Sequence, residues 1–213
     1  MDINSRFEYA HRMALISDDI YKEAIDNCDG NYVDINLANL ACTDSLRSYE
    51  ECTSHINVDH ILLPFCNKSD PTLDCEGKVG KWVVINQTLH YKYGKSDTIC
   101  YSYDIFSSFS YHKQLSSKNC RALILSGDHD FTFPHVGTEQ WIALLNLEVQ
   151  TPWKPFYVDD QVGGYVTEYA QNNYSLTYAS VRGAGHTVVF FKPKESMVLA
   201  QRWFSSQTFS SDS

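Results

Sequence analysis

The sequence has no block of lysine or arginine and no long apolar run. Among 213 residues, 26 acidic side chains outnumber 17 basic ones, and the formal net charge is −9. Binding to nucleic acid depends on clustered cations that neutralise phosphates, so nucleic acid is excluded as the expected partner, and a polybasic membrane contact is disfavoured. Without a run of about 18 apolar residues, no segment is predicted to cross a membrane.

Motifs that hold metals or phosphates are also missing. The sequence contains no H-E-x-x-H and no Gly-rich phosphate loop. Cys66, Cys75 and the nearby Asp70 do not have the spacing of zinc ligands. We therefore predict neither a metal nor a cofactor.

The N-terminus and the cysteines give opposite indications about the compartment. MDINSRFEYAHRMALI lacks the basic segment and apolar core of a signal peptide. Seven cysteines and three Asn-x-Ser/Thr sequons, however, favour an oxidising, secretory environment with disulfides and N-linked glycans. We expect that N-terminal sequence has been lost, and the odd count leaves at least one cysteine without a partner in the chain. The residues are Cys28, Cys42, Cys52, Cys66, Cys75, Cys100 and Cys120, and the sequons begin at Asn67, Asn86 and Asn173.

Apolar spacing predicts a loop-rich first half. A helix should begin at Ser17, whose hydroxyl can accept from a first-turn N–H, and end near Cys28–Gly30. Leu46, Tyr49 and Ile56 could line a short helix from Thr43 onward, whereas residues 1–16 fit no clear pattern. We interpret residues 17–97 as an insertion on a larger fold, stapled by disulfides.

The second half has the pattern of an α/β protein. The Ser-rich tail, residues 205–213, is predicted to be disordered. The expected order is a buried strand at Ala122–Leu125, a helix with Pro134 in its first turn that ends near Asn146, a strand pair at Phe156–Val158 and Gly163–Tyr169, a last strand at Leu176–Val181, and a closing helix at Lys192–Phe204.

Two short motifs at predicted strand ends carry the chemistry. GAGHTV places His186 among small residues, and Gly183 and Gly185 permit tight backbone turns. SGDHD places Asp128 and Asp130 after a buried strand, and an Asp that orients a later His forms two thirds of a hydrolytic triad. A lone His after a strand is more often a surface or packing residue, and Asp also favours turns and helix starts. These residues alone do not separate the two acids, and His129 between them fits a solvated or supporting role.

No residue supplies the third member of a triad. The G-x-S-x-G elbow, which presents a nucleophilic serine on a tight turn, does not occur in the sequence. Ser126 lies on the strand that leads to the acids and fits a packing or turn role better. The cysteines fit disulfides better than nucleophiles.

Several stretches in the right order resemble plant serine carboxypeptidase-like proteins. ALILSGDHDFTFPHVGTEQWIALLN, WKPFYVDDQVGGYVTEY and LTYASVRGAGHTVVFFKPKESMVLAQRWF resemble the C-terminal part of that family, and residues 5–66 are similar to its lid insertion. The resemblance implies an α/β-hydrolase fold. It implies one partial domain over residues 1–213, with the lid in residues 17–97 and the C-terminal strands and helices in residues 113–205.

The family pattern also implies roles for single residues. Asp130 would be the triad acid, His186 the base and Asp128 a supporting carboxylate. The pattern implies Cys28–Cys42 and Cys66–Cys75 bridges. Cys100 would pair with a cysteine near the family's N-terminus, on a disulfide-linked N-terminal chain if the protein is processed, while the pairing of Cys52 and Cys120 stays open.

The resemblance implies a serine-type carboxypeptidase that acts on a peptide C-terminus in a secreted or vacuolar location. The family's G-E-S-Y-x-G motif and Gly-rich oxyanion segment would lie upstream of residue 1, so we expect a truncated form without triad activity of its own. Val189, where the peptidases have Pro, and the DHD acid motif favour the acyltransferase-like branch, which uses glucose esters. A non-catalytic secreted binding fragment is the third hypothesis.

Overall fold

The computed structural model describes residues 2–33, 35–64 and 107–209. Contacts divide the chain into one unit of Met1–Pro64 with Phe109–Ser213 and a second unit of Phe65–Ser108. All but the end of the second unit lies outside the described residues. The predictions for Asn67, Asn86, Cys66–Cys75 and Cys100 therefore lie outside them as well.

Three helices form the N-terminal part: α1 (Asp2–Arg12), α2 (Asp18–Cys28) and α3 (Leu40–Thr53). The predicted start of α2 is confirmed, because the Ser17 hydroxyl accepts a hydrogen bond from the Ile20 N–H at 3.3 Å. Helix α3 begins before the predicted Thr43, at an Asn39 cap, and ends before Ile56. Helix α1 lies where the sequence pattern gave no assignment.

The C-terminal part has the predicted order of a strand, a helix, a strand pair, a last strand and a closing helix, with two further short helices. The strands extend beyond their predicted bounds. The elements are α4 (Phe109–Leu115), β1 (Arg121–Gly127), α5 (His135–Ala143), β2 (Glu148–Val158), β3 (Gln161–Gln171), β4 (Tyr174–Val181), α6 (Val188–Phe191) and α7 (Pro193–Phe204).

The four strands form one sheet in the order β1-β4-β3-β2. Strands β1 and β4 are parallel, and they run in register from Arg121 beside Ser175 to Gly127 beside Val181. Strand β3 is antiparallel to both β2 and β4. Because parallel neighbours end on the same side of a sheet, the loops after β1 and β4 meet.

Helix α7 covers part of the sheet with apolar side chains. Leu199 of α7 packs in one buried cluster with Phe156, Val181 and Phe209. The prediction of a disordered tail is wrong as far as Phe209, which is 2% exposed and whose carbonyl accepts from the Arg202 guanidinium at 3.1 Å. Residues 210–213 lie outside the described part.

A disulfide joins the first helices. Cys28, at the end of α2, is bonded to Cys42 of α3, which confirms that predicted bridge. Cys52 and Cys120 are free thiols. Asn173 is exposed in the turn between β3 and β4, where a glycan could be attached, so its sequon stays a prediction. No helix in the described ranges is long and apolar enough to cross a membrane.

Candidate active site

Two loops meet where the parallel strands end. The loop after β1 carries Asp128 and Asp130, and the loop after β4 carries His186. The main chain ties the loops together, because the His129 N–H donates to the Ala184 carbonyl at 2.9 Å. The expectation that the acid and the base come from adjacent strand ends is therefore confirmed.

The glycines of GAGH act in two different ways. Gly183 has φ +69°, a left-handed conformation that favours glycine. Gly185 is needed for close approach, since a Cβ there would lie 2.1 Å from the Asp59 carbonyl oxygen. Only a residue without a side chain lets that carbonyl reach the loop of His186.

Asp130 and His186 form a hydrogen-bonded pair. The His186 Nδ1 lies 3.1 Å from the Asp130 Oδ2. A carboxylate can only accept, so Nδ1 carries a proton, and in the neutral imidazole the lone pair is therefore on Nε2. The Asp130 side chain is 5% exposed and that of His186 is 32% exposed, which leaves the imidazole accessible while its partner is buried.

The second oxygen of Asp130 is held by the main chain. Its Oδ1 accepts from the N–H groups of Thr132 at 2.8 Å and Phe133 at 3.1 Å. Burial raises the pKa of Asp130 above the usual carboxyl value, and the hydrogen bonds from His186, Phe133 and Thr132 oppose that rise. These donors fix the carboxylate in one orientation toward the imidazole.

Asp128 has a different role in the geometry. Its Oδ1 accepts from the Gly183 N–H at 2.7 Å, and its carbonyl accepts from the Tyr9 hydroxyl at 2.7 Å. Burial, followed by the nearby Asp128 carboxylate, raises the pKa of Tyr9, so the phenol stays protonated as a donor. Asp128 therefore stabilises the loop before His186 and connects it to α1 by hydrogen bonds, whereas Asp130 contacts the imidazole itself.

Two other residues considered from the sequence are packed side chains. The His129 side chain is 18% exposed, and its ring lies 5.0 Å from that of His60, which favours the supporting role predicted for it over the solvated one. Ser126 is buried in β1, where it lies beside Ser180 of β4. This placement fits the packing role preferred for Ser126.

Sequence reasoning missed a third wall of the site, the segment Val58–Ile61, which we call the bridging segment. The Asp59 carbonyl accepts from the His186 N–H at 2.8 Å. The Val58 carbonyl accepts from the Phe131 N–H at 2.9 Å, and the Ile61 N–H donates to the His129 carbonyl at 3.0 Å. These contacts use main-chain atoms, so no motif in NVDHI signals them.

An aromatic ring lies beside His186. The Phe133 ring centre lies 5.3 Å from that of His186, and Phe133 is 50% exposed. Within residues 2–33, 35–64 and 107–209, the side chain that hydrogen-bonds the imidazole is that of Asp130. Nε2 is therefore the atom available to take a proton from a reacting group and return it. No group of three or more potential metal ligands occurs in that same part of the chain.

A buried carboxylate that orients an accessible imidazole across two strand ends is the acid–base arrangement of triad hydrolases. A protein-family model described as serine carboxypeptidase matches residues 1–104 and 73–206. The chain belongs to the serine carboxypeptidase family.

Plant relatives align with almost all of the chain. Serine carboxypeptidase-like 13 of Arabidopsis thaliana is 37% identical over 228 residues, covering 96% of this chain and 50% of that protein. Serine carboxypeptidase-like 16 of the same plant is 36% identical over 231 residues, covering 97% and 49%. Serine carboxypeptidase-like 17 is 37% identical over 218 residues, again covering 97% and 49%. The chain thus spans about half the length of the curated relatives it matches.

Proposed function

We propose that Asp130 and His186 are the acid and base of a Ser-His-Asp triad in a serine carboxypeptidase-like enzyme with the α/β-hydrolase fold. The observation that carries the proposal is the 3.1 Å hydrogen bond between His186 Nδ1 and Asp130 Oδ2 at the ends of two parallel strands. Membership of the family supports it, since the pair lies in matched sequence. The secreted or vacuolar location and the disulfide through Cys100 belong to the same proposal.

The reaction begins with attack of a serine hydroxyl on an acyl carbon. His186 Nε2 takes the serine proton and then gives it to the leaving group, while Asp130 stabilises the imidazolium through Nδ1–H. Water attacks the acyl-serine with His186 again as base, which releases the acid and restores the serine. The sequence has no G-x-S-x-G, so we assign the serine to the part of the family's length that this chain does not span.

Two substrate classes follow from the same machinery. Hydrolysis of a peptide C-terminus is the first candidate, by membership of the family. Acyl transfer from a glucose ester to an alcohol is the second, favoured by Val189 and by the D-H-D form of the acid motif. In the second case an alcohol replaces water as the acceptor.

The test uses the natural gene product that contains this chain. We expect Asp130→Asn to lower kcat by roughly 10⁴-fold and His186→Gln by roughly 10⁶-fold, because the first leaves the base wrongly oriented and the second removes it. The matched control, His11→Gln on α1, should leave kcat within twofold.

Parallel assays with a C-terminally free peptide and with an acyl-glucose plus an alcohol identify the substrate class. Full activity of both triad variants would contradict the proposal. We further expect no turnover by the isolated 213-residue chain, because an acid–base pair without a nucleophile cannot form the acyl intermediate.

A further inference from the structure

The pair of Asp130 and His186 belongs to a closed hydrogen-bonded ring that includes the bridging segment. His186 Nδ1–H donates to Asp130 Oδ2, and the His186 N–H donates to the Asp59 carbonyl. The Thr132 hydroxyl lies 3.2 Å from Asp59 Oδ1 and 3.2 Å from the Val58 carbonyl. The Thr132 N–H closes the ring on Asp130 Oδ1 at 2.8 Å.

Thr132 connects the parts of this ring, because each of its three polar groups takes part in a hydrogen bond. The N–H holds the acid, the hydroxyl holds the bridging segment, and the carbonyl accepts from Arg6. Arg6 reaches that carbonyl with Nε at 3.2 Å and Nη2 at 2.9 Å, a two-pronged contact that fixes Thr132 against α1.

We propose that Thr132 and Asp59 are positioning residues, which set the distance and angle between His186 and Asp130. This inference rests on the proposed function. The two ends of the ring reach the two loops of the site, so a shift of the bridging segment moves the main chain of His186 relative to its acid. The bridging segment is then part of the acid–base machinery as well as a wall of the site.

The ring makes a specific prediction for the Nδ1–H proton of His186. Thr132→Val keeps the size of the side chain but removes the hydroxyl, and Asp59→Ala removes the carboxylate at the other end of the same contact. Loss of one partly exposed hydrogen bond changes an equilibrium by about fivefold. We therefore expect each variant to speed exchange of the His186 Nδ1–H with water by about fivefold, and Thr132→Ser to restore the native rate.

The measurement is nuclear magnetic resonance of the 213-residue chain labelled with ¹⁵N-histidine, with Thr43→Val on α3 as the control. Asp130→Asn separates the two claims, because it must abolish the protected Nδ1–H signal if the acid–base pair exists. If that signal survives, the proposed function is wrong and this inference fails with it. If Asp130→Asn abolishes the signal but Thr132→Val and Asp59→Ala keep the native exchange rate, only the positioning role is overturned.

A kinetic arm uses the natural gene product. Thr132→Val should lower kcat about fivefold and leave KM within twofold, since it disturbs orientation of the base and touches no substrate. If Thr132→Val does not fold, Asp59→Ala is used for both the exchange measurement and the kinetic measurement. The Asp59 side chain is exposed, so its removal leaves no buried cavity. A raised KM with unchanged kcat would overturn the assignment.

Discussion

Gly185→Ala tests the close approach between the bridging segment and the loop of His186. A Cβ at position 185 would lie 2.1 Å from the Asp59 carbonyl oxygen and 2.9 Å from the His60 Cβ. Carbon and oxygen need about 3.3 Å, so the bridging segment has to move by about 1 Å. That movement breaks the hydrogen bond of 2.8 Å between the His186 N–H and the Asp59 carbonyl.

The expected cost can be assembled from these changes. Overpacking costs about 1–3 kcal/mol, and the lost hydrogen bond costs about 1 kcal/mol. Alanine also lowers the conformational entropy of the unfolded chain, which offsets about 0.4–1 kcal/mol of this destabilisation. We therefore expect Gly185→Ala to lower the free energy of unfolding by between about 1 and 3.5 kcal/mol.

The assay is urea unfolding followed by near-ultraviolet circular dichroism. The control is Gly30→Ala, at a glycine with φ +72° and no heavy atom within 4 Å of the added Cβ. Gly30→Ala introduces only backbone strain, so it should lower the free energy of unfolding by about 1 kcal/mol. If Gly185→Ala costs no more than Gly30→Ala, the close approach is not what the loop requires and the reasoning is refuted.

Three further predictions concern the rest of the chain. Replacing both Cys28 and Cys42 by Ser should destabilise the chain by about 3 kcal/mol in urea, since the bridge closes a loop with a sequence separation of 14; no change would contradict this. Burial lowers the pKa of His135 from 6.5, so the unfolded state binds the proton first and the free energy of unfolding falls as pH drops below 6.5. His135→Gln should reduce the dependence of that free energy on pH between pH 7 and 5, and an unchanged slope would refute this prediction. Asn173→Gln should remove the mass of one glycan from the natural product on a mass spectrum, and a mass that changes only by the added methylene would show that the exposed sequon is unused.

Local patterns predicted several elements, among them the strand that leads to the acid. The Ser17 cap fixed the start of α2, and the apolar run Ala122–Leu125 located β1, because capping and burial leave signals within a few residues. Helix α1 gave no clear pattern, although Phe7, Tyr9 and Ala10 are buried. Phe7 and Ala10 are three positions apart, as on one face of a helix, so the sequence contained a signal of helical spacing that the prediction did not use.

The choice between the two acids needed either the family pattern or the structure. Asp128 and Asp130 have the same local context in SGDHD, and a loop does not preserve the alternation of side chains seen in a strand. The structure separates them by partners: the Gly183 N–H for Asp128 and the His186 ring for Asp130. The bridging segment escaped prediction because its bonds to residues about 70 to 130 positions away use main-chain atoms, which every sequence has.

The central claim is that His186, oriented by Asp130, activates a serine. Labelling of the natural gene product with a fluorophosphonate tests it most directly, because this reagent reacts with a serine only when a base has activated it. We expect one labelled serine within a G-E-S-Y-x-G motif, and a labelling rate at least 100-fold lower in His186→Gln but unchanged in His11→Gln. Equal labelling of the His186→Gln variant and the native protein would contradict the assignment of His186 as the base.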